Sequence, residues 1–175
     1  MKNILRTLSF LVLALCAYTA NAQKPKDFYV SYPQPNGMLF HIFPTTFFQH
    51  KTDGDLTFDI TYQCQKDSAV INFTYYASHA TPLDSIRFTA GKISLAGKTE
   101  KLFIEARTLK KWEHRYSLKV PVKSLFFFFN PEETPHVNLY ANSTAKDYDV
   151  KKAEWNKKAP IYQTIIRTIR MDCEK

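Results

Sequence analysis

Strict two-residue alternation runs through the middle of the chain. In residues 55–64, DLTFDITYQC, the side chains Leu56, Phe58, Ile60, Tyr62 and Cys64 fall on one face, and Thr57, Asp59, Thr61 and Gln63 on the other. Successive strand side chains point to opposite faces, so the pattern predicts a strand with one buried and one wet side, as antiparallel sheets allow. A polar turn over residues 65–68 leads into AVINFTYY, where Ile71, Phe73 and Tyr75 stay in phase, and the two segments read as a hairpin. RYSLKVPV repeats the pattern with Tyr116, Leu118, Val120 and Val122 inward. Further strands are predicted over 28–32, 38–43, 85–90, 101–106 and 137–141, about eight short strands in all.

The four glycines support this map, because Asn36-Gly37, Asp53-Gly54, Gly91-Lys92 and Gly97-Lys98 each lie between predicted strands. With the glycines committed to turns, none is left for a loop whose backbone must approach a phosphate closely, and nucleotide binding is disfavoured. Pro33 and Pro35 precede the second strand, and Pro131 and Pro135 frame a loop. Two stretches depart from alternation. Residues 125–129, LFFFF, suit a strand or short turn buried on both faces; exposed, they would be a docking surface or an aggregation hazard. Residues 146–158 are charged and helix-compatible, Pro160 suits a first helical turn, and Ile161, Ile165 and Ile169 recur every fourth residue, which predicts a terminal helix. The isoleucines and threonines there would also tolerate a last strand. The expected fold is all-β: an antiparallel β-sandwich, immunoglobulin-like or similar, with a C-terminal helix. The alternative is a lipocalin-like up-and-down barrel, which would add an internal ligand pocket.

The first residues follow a different rule. Lys2 and Arg6 precede a short apolar run, Leu8 to Ala17, and Ala20-Asn21-Ala22 offers a small-x-small cleavage pattern before Gln23. This is the layout of a secretory leader over residues 1–22, too short for a permanent span, and it resembles the leaders of Gram-negative bacteria. The expectation is a chain exported to the periplasm or outer surface, touching membrane only through the cleaved leader. Cys16 raises a lipoprotein alternative, which the bulky Leu15 before it opposes. Residues 23–175 then form a single β-rich domain, large enough to bury its own core.

Loss of Lys2 and Arg6 takes the net charge from +8 to +6, a moderately basic surface suited to solubility or to polyanions. It also leaves two cysteines, Cys64 and Cys173. In an oxidising compartment they are candidates for a disulfide fastening the C-terminal segment to the sheet; otherwise Cys64 is a buried free thiol and Cys173 a loose one.

Candidate chemistry is sparse. His41, His50, His79, His114 and His136 are scattered, without the spacing of paired metal ligands. His50 with Asp53, Asp55 and Asp59 misses the calcium-loop pattern. Ser78, His79 and Asp84 share one predicted loop but no nucleophile-elbow motif, Glu132-Glu133 reads as a solvated turn, and Cys64 has the phase of a buried residue rather than of a nucleophile. No cofactor is called for. Asp67-Ser68-Ala69 and Asp84-Ser85-Ile86 resemble the short acceptor of a bacterial O-glycosylation system. The most suggestive surface is residues 92–123, with nine basic residues against Glu100, Glu105 and Glu113. Within it Arg107, Lys110, Lys111, Trp112 and Arg115 combine cations with an aromatic, a composition that holds an anionic glycan or nucleic-acid strand by charge and stacking; the plainer reading is a solvated loop with Trp112 in the core. Three functions follow as expectations: a non-catalytic envelope protein acting by binding or assembly with a protein or anionic-glycan partner, a small-ligand or glycan binder, and a hydrolase without a recognisable motif.

Overall fold

The alternating segments become neighbours in one antiparallel sheet. A computed structural model describes residues 25–108 and 110–174; the leader expected over residues 1–22, with Cys16 and the cleavage pattern, lies outside them. After a 3-10 turn at Pro25–Phe28 come β1 (Tyr29–Gln34), β2 (Gly37–His50), β3 (Gly54–Gln63), β4 (Ser68–Ala77), β5 (Ser85–Ala90) and β6 (Ile93–Lys98). Then follow β7 (Glu100–Thr108), β8 (Lys111–Pro121), α1 (Val122–Phe128), β9 (Pro135–Ala141), β10 (Thr144–Val150) and α2 (Lys152–Cys173). The ten strands run β6-β5-β9-β10-β2-β3-β4-β8-β7, with β1 added to β2. The sheet curls until β6 packs against β8, giving a nearly closed, barrel-like wall with a C-terminal helix.

Closure brings Gly97 close to Leu118. A Cβ at Gly97 would lie 3.1 Å from Leu118 Cδ1, tighter than ordinary van der Waals contact, where β6 leans on β8. Gly97 therefore belongs to a strand, and the sequence-based assignment of Gly97-Lys98 to a turn is corrected; the β5–β6 turn is made by Gly91-Lys92. The longest strand, β2, is bent by register shifts against β3 between Ile42 and Thr45 and between Thr45 and Phe48. Pro44 lies in the first, where a residue without an N–H does least harm to the ladder. The shifts change the inward phase from Phe40 and Ile42 to Phe47 and Phe48, all buried. Before the bend β2 pairs with β1, and after it with β10.

The bend receives α2. Trp155, Ala159, Tyr162, Ile165, Ile166 and Ile169 are buried at helical spacing, the Tyr162 hydroxyl donates to the Phe43 carbonyl at 3.2 Å, and Lys151 N–H donates to the Phe47 carbonyl at 2.7 Å. Trp155 stacks on Phe129 with centroids 5.7 Å apart and meets Phe47 edge-on at 5.2 Å, while its indole N–H donates to the Glu133 carbonyl at 3.1 Å. Phe47, Phe58, Phe88, Phe128 and Phe129 fill the rest of the interior. Each such side chain contributes roughly 1.5–3 kcal/mol on burial. Cys173, the last residue of α2, is joined to Cys64 just after β3, with Cα atoms 5.1 Å apart.

Three further expectations change. LFFFF is not buried on both faces. It belongs mostly to α1, where Val122, Leu125 and Phe128 are buried at helical spacing and Phe127 is 47 % exposed. The charged stretch from Lys146 is not helical until Lys152: residues 144–150 form β10, and β6 was not foreseen either. Pro160 lies inside α2 rather than in its first turn.

Candidate functional site

Strand direction separates the two ends of the barrel. β8 and β10 run into α1 and α2, so the helices occupy one end, whereas β4 finishes and the β9–β10 turn folds over at the other. That turn is tight, with Asn142 and Ser143 both at positive φ (48° and 62°), as two-residue hairpin turns require. Residues 78–84 are pinned beside it: Leu83 N–H donates to the Tyr116 hydroxyl at 2.8 Å, Asp84 N–H to the Tyr140 carbonyl at 2.8 Å, and Asn142 N–H to Asp84 Oδ2 at 2.9 Å. Between them lies a cavity of about 240 Å³. Its apolar wall is Tyr75, Ala77, Leu83, Leu139 and Ala141; Ser78, His79, Thr81, Asn142, Thr144 and Lys146 supply polar groups.

One layer deeper the barrel stays polar. Tyr75 on β4 and His114 on β8 are direct cross-strand partners, and their rings stack at 4.7 Å. On β10, Tyr148 is the inward residue next below Lys146. His114 Nε2 lies 2.9 Å from the His79 carbonyl, which can only accept, so this nitrogen carries the hydrogen and Nδ1 keeps a bare lone pair. His114 and Tyr148 are each fully buried, and both His114 Nδ1 and the Tyr148 hydroxyl lack a hydrogen-bond partner. Burial holds the His114 imidazole below its ordinary pKa, opposed by the His79 carbonyl, reinforced by Lys146 and opposed again by Asp53. Burial likewise pushes the Tyr75 and Tyr148 phenols well above their usual range. At the rim Lys146 Nζ sits 2.5 Å from Asp53 Oδ2. Asp53 is held there by its turn, where His50 Nδ1 accepts the Asp53 N–H at 3.2 Å.

The acidic residues near His50 thus serve three separate cations: Asp53 meets Lys146, Asp55 meets Lys151 at 2.6 Å, and Asp59 meets Arg115 at 2.6 Å. Asp84 is engaged with the Asn142 backbone rather than with His79. Ser68 and Ser85, the hydroxyls of the two acceptor-like triplets, are half-buried at the starts of β4 and β5.

The basic residues singled out in the sequence lie on the β7–β8 hairpin and none of them lines the cavity, although Trp112 pairs with the lining residue Ala77. Lys110 is exposed in the turn, Lys111 is exposed with its ammonium 4.3 Å from the Tyr76 ring centroid, and Trp112 is half-buried. Arg107 pairs with Glu113 and Glu105. Arg115 donates to Asp59 and, at 2.9 Å, to Thr74 Oγ1. The hairpin brings all five residues onto one edge of the sheet, with two of the four cations committed to carboxylates.

No protein-family model, curated protein or solved structure matches the chain. The cavity residues come from β4, β9, β10, the loop after β4 and the β9–β10 turn, so no single segment announces them. The available signal was an ionisable side chain in an inward phase: stepping back by two from Tyr116 reaches His114.

Proposed function

We propose that residues 23–175 form an exported, non-catalytic binding protein of the cell envelope or surface, with its binding place at the mouth of the barrel. The observation carrying this reading is the cavity of about 240 Å³, in which an apolar wall from Tyr75, Leu83 and Leu139 faces polar groups from Ser78, His79, Asn142 and Lys146. Small ligands bind in concave sites that combine an apolar wall with a few convergent polar groups. The groups there donate and accept, and none is a nucleophile set against a base. The continuous sheet whose ends approach favours the lipocalin-like barrel over the sandwich, although the aromatic interior moves binding from the centre to the rim. The leader and the Cys64–Cys173 pair support export.

The test is mass spectrometry of protein from the native host. An intact mass beginning at Gln23 in the envelope or culture fraction is expected, with a small molecule retained under native conditions and lost from an Ala141→Trp variant that fills the cavity. Full-length protein in the cytoplasm overturns export; identical ligand-free spectra for both proteins count against the cavity.

A further inference from the structure

We infer that the outward face of the α1–α2 pair docks on a bilayer rich in anionic phospholipid, leaving the mouth at the other end of the barrel open. The buried residues of α2 recur at helical spacing, so the exposed Lys157, Pro160, Thr164, Arg167 and Met171 form the stripe opposite them. This stripe holds two cations and no carboxylate, and it ends on Met171, 59 % exposed. The acidic groups of the helix are engaged elsewhere. Glu154 pairs with Lys158, Glu174 lies beside Arg170, and Asp172 lines a separate groove with Lys26 and Tyr29.

α1 continues the face. Lys123 and Phe127 are four residues apart and both exposed, so they share one side of the helix. Phe126, Phe127, Gln163 and Arg167 line one open groove with Lys92 of the β5–β6 turn, which makes the two helices and the turn a single surface. The Arg167 guanidinium lies over the Phe126 ring, 5.5 Å from its centroid. Glu133 is the one carboxylate among the groove's lining residues, and it is folded onto Gly91, in the space a Cβ there would take. Lys92, Lys123, Lys157 and Arg167 form no salt bridge with the described residues.

Charge and dispersion select the occupant. A second copy of the chain would set these cations against their own counterparts. A protein partner is met by a central apolar patch depleted of charge, whereas Phe127 and Met171 stand apart among cations. A bilayer suits that arrangement, because separate apolar side chains enter the boundary between headgroups and acyl chains while cations stay at the phosphates.

The experiment is sedimentation of the protein beginning at Gln23 with vesicles of phosphatidylcholine alone or mixed with phosphatidylglycerol. Expected is binding to the mixed vesicles that weakens with salt and is at least about tenfold weaker on phosphatidylcholine. Phe127→Ser/Met171→Ser and Lys123→Gln/Arg167→Gln should each bind at least about fivefold more weakly while melting as the parent does. Should either melt early, Lys157→Gln/Met171→Ser, which leaves α1 and the Phe126–Arg167 contact intact, takes its place with the same expectation. Lys110→Gln/Lys111→Gln, on the hairpin at the mouth end, should bind as the parent. Absence of binding to the mixed vesicles overturns the proposal. So does an equal loss in the Lys110/Lys111 variant, which would reduce the attraction to overall charge. A concentration-dependent dimer abolished by Phe127→Ser/Met171→Ser would give the face to a second copy and overturn it as well.

Discussion

Arg115 and Asp59 meet across the intervening strand β4, guanidinium Nη2 2.6 Å from carboxylate Oδ1, on the outer face of the sheet. Asp59 is 2 % exposed, and Asn72 Nδ2 donates to its other oxygen at 2.9 Å. A buried carboxylate that loses its cation keeps the desolvation cost without the compensation. Arg115→Ala should therefore cost about 1–3 kcal/mol in urea denaturation, while Lys110→Ala, at an exposed turn, stays within about 0.5 kcal/mol. Equal and negligible effects would mean that the Asp59 pair is solvated. A polyanion-binding assay on this hairpin is best made with Lys110 and Lys111, since loss at Arg115 would confound charge with folding.

The Cys64–Cys173 bond closes a loop with a sequence separation of 109 and ties the end of α2 to the end of β3. Cross-linking so long a loop restricts the unfolded chain, and its removal should cost about 2–5 kcal/mol. Denaturant midpoints of the parent, with and without reductant, and of Cys64→Ala/Cys173→Ala check this. Non-reducing peptide maps of protein isolated under thiol-blocking conditions should contain the linked peptide; two alkylated thiols would rule the bond out.

Gly97→Val should strain barrel closure. Even the first carbon of a side chain would sit 3.1 Å from Leu118 Cδ1, and Leu118 is 1 % exposed with little space to retreat. Overpacking of this kind costs roughly 1–3 kcal/mol, and hydrogen exchange should rise in β6 first because it is an edge strand paired only with β5. A variant as stable as the parent would show that β6 can shift away from β8 freely.

Legibility of the fold follows how each strand buries itself. β3, β4 and β8 each put four or more side chains in the core, so alternation exposes them in the sequence. β10 buries only Tyr148, between two outward-facing aspartates and one inward step from the half-buried Lys146, and such a strand carries almost no periodic signal. β6 buries only Leu95 and ends on the Gly97 contact, so its glycine reads as punctuation when it is packing. LFFFF is ambiguous by composition, because a five-residue apolar run fits either period; the helix appears only when Val122 is added to the buried set. The candidate site was less legible still, since Lys146, Tyr75 and Leu83 converge only after the sheet has curled.

His114, stacked on the cavity residue Tyr75, ties stability to pH. Burial holds its folded-state pKa below the ordinary 6.5, so the unfolded chain takes up the proton first as pH falls. The contribution of the neutral, buried ring is fully present above about pH 6.5, is lost progressively as pH falls from there, and levels off below the depressed folded value. His114→Gln keeps an amide able to donate to the His79 carbonyl but cannot titrate. The difference in denaturant midpoint between parent and variant, followed from about pH 7.5 to about pH 4.5, isolates this residue from the other histidines. The parent's advantage should shrink with acidification. A pH-independent difference would place the imidazole in contact with water in the folded protein.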